Sequence, residues 1–157
     1  MKTLIFILSS IIVASCSQPK ELENASADSG ISRIINDREY AFVARTVLPT
    51  GGRIVQLTSL YDMRVSKDSI IAYLPYFGRA YTAPIGATNG GIQFTSTDFG
   101  YNAKKRRKGG WQISIRPKDL QDIQQVNMTV SEAGAASLQV ISNNRQPISY
   151  NGVIEAR

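Results

Sequence analysis

The chain has 157 residues, of which 43% are hydrophobic and 19% charged, and its formal net charge at pH 7 is +6. It contains no histidine and one cysteine, Cys16. These counts exclude Ser-His-Asp and Cys-His nucleophilic sites and deprive zinc of its usual nitrogen and sulfur ligands. No nucleophile-elbow, dinucleotide-binding or Walker glycine motif occurs. We therefore predict no catalytic residue, no cofactor and no metal site.

Residues 1–15 have the features of an export signal. The apolar run from Leu4 to Val13 follows Lys2 and is too short to span a bilayer permanently. The sequence Val13-Ala14-Ser15-Cys16 resembles the bacterial lipobox, in which the cysteine is lipidated and becomes the first mature residue. We predict that Cys16 carries acyl chains such as palmitate, which hold the protein on a membrane. The alternatives are an ordinary secretory signal with a chance cysteine and a short membrane anchor.

The residues after Cys16 predict a location and a tether. Ser17 stands where an aspartate would favour retention in the inner membrane, so we predict the outer membrane, with the protein facing the periplasm. Residues 16–30 are too polar to pack and are predicted to form the lipidated cysteine and a flexible tether. Residues 31–157 are predicted to form a single folded domain.

A helix is predicted first in this domain, over residues 31–38, because three isoleucines recur there at helical spacing. Asp28 or Ser29 is available as its cap. The period then changes to two, and residues 40–48 predict a strand. The most regular alternation covers residues 53–65, whose odd-numbered side chains should face the core. The large ones among them are Val55, Leu57, Tyr61, Met63 and Val65.

The rest of the chain predicts further strands separated by turns. The alternating or β-rich segments are 69–74, 91–94, 99–104, 111–116, 126–130, 138–140 and 148–154, with Gly152 as a bulge in the last. About nine strands and one leading helix predict a mainly β, antiparallel domain. A β-sandwich and a partly closed barrel both fit this pattern.

The segment 73–81 concentrates four aromatic residues within nine positions, against 8% in the whole chain. Because Pro75 and Gly78 interrupt regular structure, the segment can fold back over the end of the β core, which would bury Leu74 and Phe77. We favour this packing interpretation. The alternative is a binding surface for a sugar ring or an apolar partner. Its candidate contacts are Tyr76, Phe77, Arg79 and Tyr81.

The strongest charge feature is a run of five cations before Gly109-Gly110, made of Lys104, Lys105, Arg106, Arg107 and Lys108. Such runs contact nucleic acid in other compartments, but an exported protein is predicted to have no nucleic-acid partner. The position between two strands predicts an exposed hairpin tip, and we favour a purely solvated one. The functional alternative is contact with phosphate-bearing envelope lipids.

Carboxylate-only catalysis needs two acids that face each other across a cleft. Asp119 and Asp122 are the one close acidic pair in the second half of the chain, and we predict that they lie on a solvated surface turn. The alternative functions are an envelope hydrolase that uses carboxylates alone and a carbohydrate- or lipid-binding β domain.

Four segments together resemble the family catalogued as domain of unknown function 4251, namely YLPYFGRAY (73–81), GGIQF (90–94), KGGWQISI (108–115) and NRQPISYNG (144–152). The family comprises small exported, often lipidated proteins of Gram-negative bacteria. The resemblance covers roughly residues 31–157 and implies an exported, mostly β domain without an assigned activity. The sequence therefore predicts a non-catalytic envelope lipoprotein that is tethered to the membrane through its lipid and binds an envelope protein or ligand.

Overall fold

The computed structural model describes residues 25–81 and 90–157. The predicted signal peptide (1–15), Cys16, residues 17–24 of the predicted tether and the segment 82–89 lie outside the described residues. The elements in chain order are α1 (Ala25–Asp37), β1 (Tyr40–Pro49), β2 (Val55–Val65), β3 (Ile70–Leu74), β4 (Ile92–Ser96), β5 (Phe99–Lys105), β6 (Trp111–Pro117), β7 (Ile123–Val130), β8 (Ala135–Ser142) and β9 (Ile148–Ala156).

Helix α1 begins at Ala25, six residues before the predicted start, so residues 25–30 of the predicted tether are helical. The early start has a local reason, since alanines at 25 and 27 have a high helix propensity. The predicted caps, Asp28 and Ser29, therefore lie inside the helix. The amphipathic prediction is confirmed, because Ile35 is fully buried. The helix ends before Arg38, which has a left-handed backbone (φ 56°).

The nine strands form one sheet of antiparallel neighbours in the order β4-β3-β2-β1-β9-β8-β7-β6-β5. Its two edge strands, β4 and β5, are separated in the chain by Thr97 and Asp98 alone. Two edges that are this close along the chain must also be close in space, so the sheet curls into a nearly closed barrel. The mainly β prediction is confirmed, and of its two architectures the barrel is the one observed.

The junction between the two edge strands is fastened by Asp119. Its carboxylate accepts hydrogen bonds from the Ser96 hydroxyl (2.5 Å) and from the backbone N–H groups of Thr97 (2.8 Å) and Asp98 (3.3 Å). These bonds, that from Ser96 above all, lower the pKa of Asp119 to about 2. Asp119 is exposed, as predicted for a surface turn, but it also holds the seam of the barrel.

The barrel interior is filled by every second side chain of the strands, as the alternation predicts. In β6 and β7 the fully or almost fully buried residues are Ile113, Ile115, Val126, Met128 and Val130. The five large odd-numbered side chains of β2 also pack in or against the core. However, β2 starts at Val55 rather than Arg53, and its pairing with β1 jumps between Gln56 and Tyr61. The prediction that the odd-numbered side chains face the core is therefore confirmed, whereas the prediction of one unbroken strand over residues 53–65 is wrong.

The predicted bulge at Gly152 lies on the neighbouring strand instead. The pairing of β1 with β9 skips Arg45, while Gly152 and Asn151 pair in succession with Ala44 and Thr46. A Cβ atom on Gly152 would lie 1.9 Å from the carbonyl oxygen of Val43. Glycine is therefore required here because the bulged strand passes too close for any side chain.

The two ends of the barrel carry different elements. The β5–β6 and β7–β8 turns and the start of β1 lie at one end, where Tyr101 of β5 donates a hydrogen bond to the Ile35 carbonyl of α1 (3.3 Å). The β1–β2 turn, the β8–β9 loop and the end of β3 lie at the other end, where Thr50 donates a hydrogen bond to the Pro147 carbonyl (2.6 Å). In the described part of the chain, no helix has both the length and the apolarity to cross a membrane.

Candidate functional site

The aromatic segment 73–81 leaves the end of β3 and is held to the core at its first residues. Leu74 is 1% exposed, and Pro75 is also buried. The hydroxyl of the fully buried Tyr150 donates a hydrogen bond of 2.7 Å to the Pro75 carbonyl. Burial raises the pKa of Tyr150, so the hydroxyl remains a donor at any physiological pH. This part of the packing prediction is confirmed.

Tyr76 forms the next fixed point of the segment. Its hydroxyl bonds to the carbonyl oxygens of Arg79 (2.8 Å) and Gln146 (3.2 Å), and the Arg145 guanidinium lies 5.3 Å from its ring centroid. A Cβ atom at Gly78 would lie 2.5 Å from this hydroxyl, so glycine is needed for the chain to fold back around the ring. Tyr76 is therefore committed mainly to holding the loop, although part of its ring lines the surface described next.

The prediction that Phe77 is buried is wrong, since its side chain is 50% exposed. The physical reason is that Tyr76 turns inward toward the β8–β9 loop, and the following residue points away from the core. Tyr73 and Tyr81 are also open to solvent, at 48% and 67% exposure. Exposed aromatic side chains in such density are unusual on a surface that is exposed only to water.

Tyr73, Tyr76 and Phe77 of the aromatic segment line an open hollow with a volume of about 350 Å³, which we call the aromatic cleft. The rings of Tyr61 and Tyr73 are stacked, with centroids 5.6 Å apart and planes inclined by 19°. Although it is stacked on Tyr61, the Tyr73 side chain remains 48% exposed. The functional side chains that line the cleft are Tyr61, Tyr73, Tyr76, Phe77 and Gln93.

A row of polar and aromatic side chains crosses this face of the sheet. Asp62 on β2 pairs with Tyr73 on β3, which pairs in turn with Gln93 on β4. Because Leu74 points into the core, its neighbour Tyr73 points outward. The Asp62 carboxylate accepts a hydrogen bond of 2.7 Å from the guanidinium of Arg64, which fixes its orientation.

Of the four predicted binding residues, the structure places Tyr76 and Phe77 in the cleft, whereas Arg79 and Tyr81 are exposed but do not line it. Arg79 acts through its backbone, whose carbonyl accepts a hydrogen bond from Gln146 N–H (3.0 Å). The sequence interpretation missed Tyr61, Tyr73 and Gln93. The alternation of β3 could have identified Tyr73 as outward-facing, but the pairing that brings Gln93 beside it is not visible in the chain order.

Arg145 also escaped the sequence interpretation. Its side chain is 11% exposed, and one terminal nitrogen donates hydrogen bonds to the carbonyls of Gly90 (3.2 Å) and Gly91 (2.9 Å). Its Nε lies 3.9 Å from the carboxylate of Asp122 and makes no hydrogen bond within the described residues. Arg145 thus ties the start of β4 to the β8–β9 loop, and with it one wall of the aromatic cleft.

Both acids of the predicted pair border one cleft, but each carboxylate is already engaged in hydrogen bonds. Asp122 accepts a hydrogen bond from the Ser142 hydroxyl (2.7 Å), whereas Asp119 holds the β4–β5 junction. This cleft has a volume of about 340 Å³, and its apolar walls are formed by Phe94, Leu120 and Ile123. Among the residues that the structure describes, no three acidic or cysteine side chains are grouped so as to hold a metal ion.

The five consecutive cations lie where the sequence predicts, at the β5–β6 hairpin, and we call residues 104–108 the basic tip. Lys104 and Lys105 end β5, and Arg106, Arg107 and Lys108 form the exposed turn. The basic tip and the aromatic cleft belong to opposite ends of the barrel.

Comparison with known proteins identifies relatives of this chain. The family model described as domain of unknown function (DUF4251) matches residues 23–154, a span that includes helix α1. A crystal structure of a DUF4251 family protein from Bacteroides eggerthii is similar in fold, with a TM-score of 0.64 and 16% sequence identity over 85% of this chain and 92% of that chain. At this identity the similarity concerns the fold alone. The comparison with curated proteins gave no match.

Proposed function

The chain belongs to the DUF4251 family, and we propose that it is a lipid-anchored envelope protein whose β domain binds a ligand at the aromatic cleft without transforming it. The observation that carries this proposal is the exposure of Phe77 beside the stacked pair of Tyr61 and Tyr73. The exposure of several aromatic rings to water is energetically unfavourable, and such clusters on a rigid backbone are typical of binding surfaces.

The backbone around the aromatic cleft supports binding because its hydrogen bonds hold it in place before a ligand arrives. Tyr150 holds Pro75, and Arg145 holds Gly90 and Gly91, so both walls of the cleft are tied to the β8–β9 region. A preorganised site loses little conformational entropy when it binds. The cleft is also open to solvent, which suits an extended ligand more than an enclosed small molecule.

The chemistry of the cleft favours a carbohydrate. A sugar ring has one apolar face that stacks on an aromatic ring, and its hydroxyl groups bond to carboxamide and carboxylate side chains. The row of Asp62, Tyr73 and Gln93 offers these groups side by side on one sheet face. We therefore propose a glycan of the cell envelope as the ligand class.

Calorimetric titration of the full mature protein with chitotriose and with soluble peptidoglycan fragments tests this proposal. Phe77→Ala should weaken binding by about tenfold or more, as is usual for a central aromatic contact. Ile54→Ala is the matched control, because Ile54 is 63% exposed and lies outside the cleft lining. If neither glycan binds, or if both variants bind them like the parent, the carbohydrate proposal is wrong.

The lipid anchor rests on the lipobox-like residues that end at Cys16. We propose an outer-membrane location, with the domain facing the periplasm. In cells fed radiolabelled palmitate, the parent should carry label in the outer-membrane fraction, and Cys16→Ala should carry none. Equal labelling of both proteins would contradict the assignment of Cys16.

A further inference from the structure

The turn of the basic tip is held by backbone hydrogen bonds and exposes its cationic side chains to solvent. Its turn is closed by hydrogen bonds from Arg106 N–H to the Gly110 carbonyl (2.9 Å) and from Gly109 N–H to the Arg106 carbonyl (3.1 Å). Gly109 and Gly110 have φ values of 82° and 76°, which favour glycine and keep the turn tight. In the described part of the chain, Arg106, Arg107 and Lys108 enter no salt bridge and stay exposed.

Helix α1 approaches the same end of the barrel. A Cβ atom at Gly109 in the basic tip would lie 2.5 Å from the carboxylate of Glu132, so the β5–β6 and β7–β8 turns are in contact. A Cβ atom at Gly134 in the second turn would lie 3.2 Å from Ile31 of the helix. The middle of α1 therefore contacts the β7–β8 turn, which in turn contacts the basic tip.

The chain that leads to the lipid is short. Ala25 is nine residues after Cys16, and nine residues extend to at most about 30 Å. From Ala25 to Ile31 the helix adds about 9 Å. With Cys16 anchored as proposed above, the tether therefore enters the domain at the end of the barrel that carries the basic tip.

We propose that the basic tip docks on anionic phospholipid headgroups of the leaflet in which Cys16 is anchored. This inference rests on the lipid anchor proposed above. The charges are complementary, since the turn of the basic tip exposes Arg106, Arg107 and Lys108 and contacts one carboxylate, that of Glu132. Each cation close to an anionic surface strengthens binding about fivefold, and salt weakens the effect. Docking in this orientation points the aromatic cleft away from the membrane, toward ligands in the periplasm.

Trp111 provides the reporter, because it is the single tryptophan of the chain and pairs with Lys105 at the base of the hairpin. The mature lipidated protein is reconstituted into vesicles of phosphatidylcholine, with or without phosphatidylglycerol, that contain dansyl-labelled headgroups. Energy transfer from Trp111 to dansyl should be greater on the anionic vesicles. High salt should return it to the level on pure phosphatidylcholine.

Two double variants that each lose two positive charges distinguish docking through the basic tip from attraction of the whole protein to an anionic membrane. Arg106→Gln with Arg107→Gln should abolish most of the lipid-dependent difference in transfer. Arg45→Gln with Arg53→Gln removes two exposed cations outside the tip and should preserve it. If the energy transfer from Trp111 is the same on neutral and anionic vesicles, or if it falls equally in both variants, the proposal is wrong.

Flotation in the same samples keeps the two proposals apart. A protein that floats with both kinds of vesicle but shows no charge-dependent transfer has a lipid anchor and no docking. A protein that fails to float with pure phosphatidylcholine lacks the anchor, and the inference fails with it.

Discussion

Truncation of two neighbouring side chains, Leu74→Ala and Phe77→Ala, tests how the aromatic segment is divided between core and surface. Leu74 is 1% exposed and packs in the barrel interior, so its truncation should destabilise the fold by about 2–5 kcal/mol. Phe77 is 50% exposed, so its truncation removes about half the burial of a phenylalanine and should cost about 1 kcal/mol.

In a domain of this size, 1 kcal/mol corresponds to a shift in melting temperature of about 3–5 °C. Leu74→Ala should therefore lower the Tm by about 6 °C or more, and Phe77→Ala by less than about 5 °C. Thermal denaturation followed by far-ultraviolet circular dichroism measures both. Tyr81→Ala is the control for an exposed ring, since Tyr81 is 67% exposed, and it should resemble Phe77→Ala. If Phe77→Ala melts as early as Leu74→Ala, Phe77 is a core residue and the binding surface is wrongly assigned.

Three further changes test individual contacts. Tyr150→Phe leaves the buried Pro75 carbonyl without its donor and should lower the free energy of unfolding by about 1–3 kcal/mol in urea denaturation; an unchanged midpoint would mean that the bond contributes nothing. Gly152→Ala places a Cβ atom 1.9 Å from the Val43 carbonyl oxygen and should prevent stable folding, so a soluble variant with the parental Tm contradicts the described register. The folded-state pKa of Asp119 is lowered to about 2, so its stabilisation is complete above the unfolded value of about 3.8 and is lost as the pH falls through about 2. Asp119→Asn should therefore flatten the decline in Tm over that interval, and an equal decline in both proteins would show that the carboxylate does not fasten the seam.

The local pattern of the chain was sufficient to predict most strands. In β6, Ile113 and Ile115 alternate with polar residues because a strand turns successive side chains to opposite faces, a rule that needs no tertiary information. The hairpin position of the basic tip followed in the same way, since like charges before a Gly-Gly pair fit an exposed turn. The helix was predicted from the spacing of its isoleucines, but its early start at Ala25 was hidden by polar neighbours that a helix lying on a barrel end tolerates.

The closure of the sheet could not be read from the chain. A sandwich and a barrel require the same alternating strands, and the difference lies in whether the two edge strands meet. They meet here because the chain passes from β4 to β5 through Thr97 and Asp98, and because Asp119, more than 20 residues later, bonds to both. The strand pairings that leave β4 and β5 at the edges, and the bonds from Asp119, join residues that are distant in sequence, and local propensity carries no trace of them.

The candidate site shows the same division. The sequence by itself located the aromatic segment, because the density of rings around Pro75 and Gly78 is a property of composition. Only the tertiary structure decided which rings face solvent. Tyr76 turns inward because the Gln146 carbonyl from a distant loop meets its hydroxyl, and Phe77 is left outside as a consequence. The exposure of a side chain depends on which partners the fold brings to its neighbours, and those partners lie far along the chain.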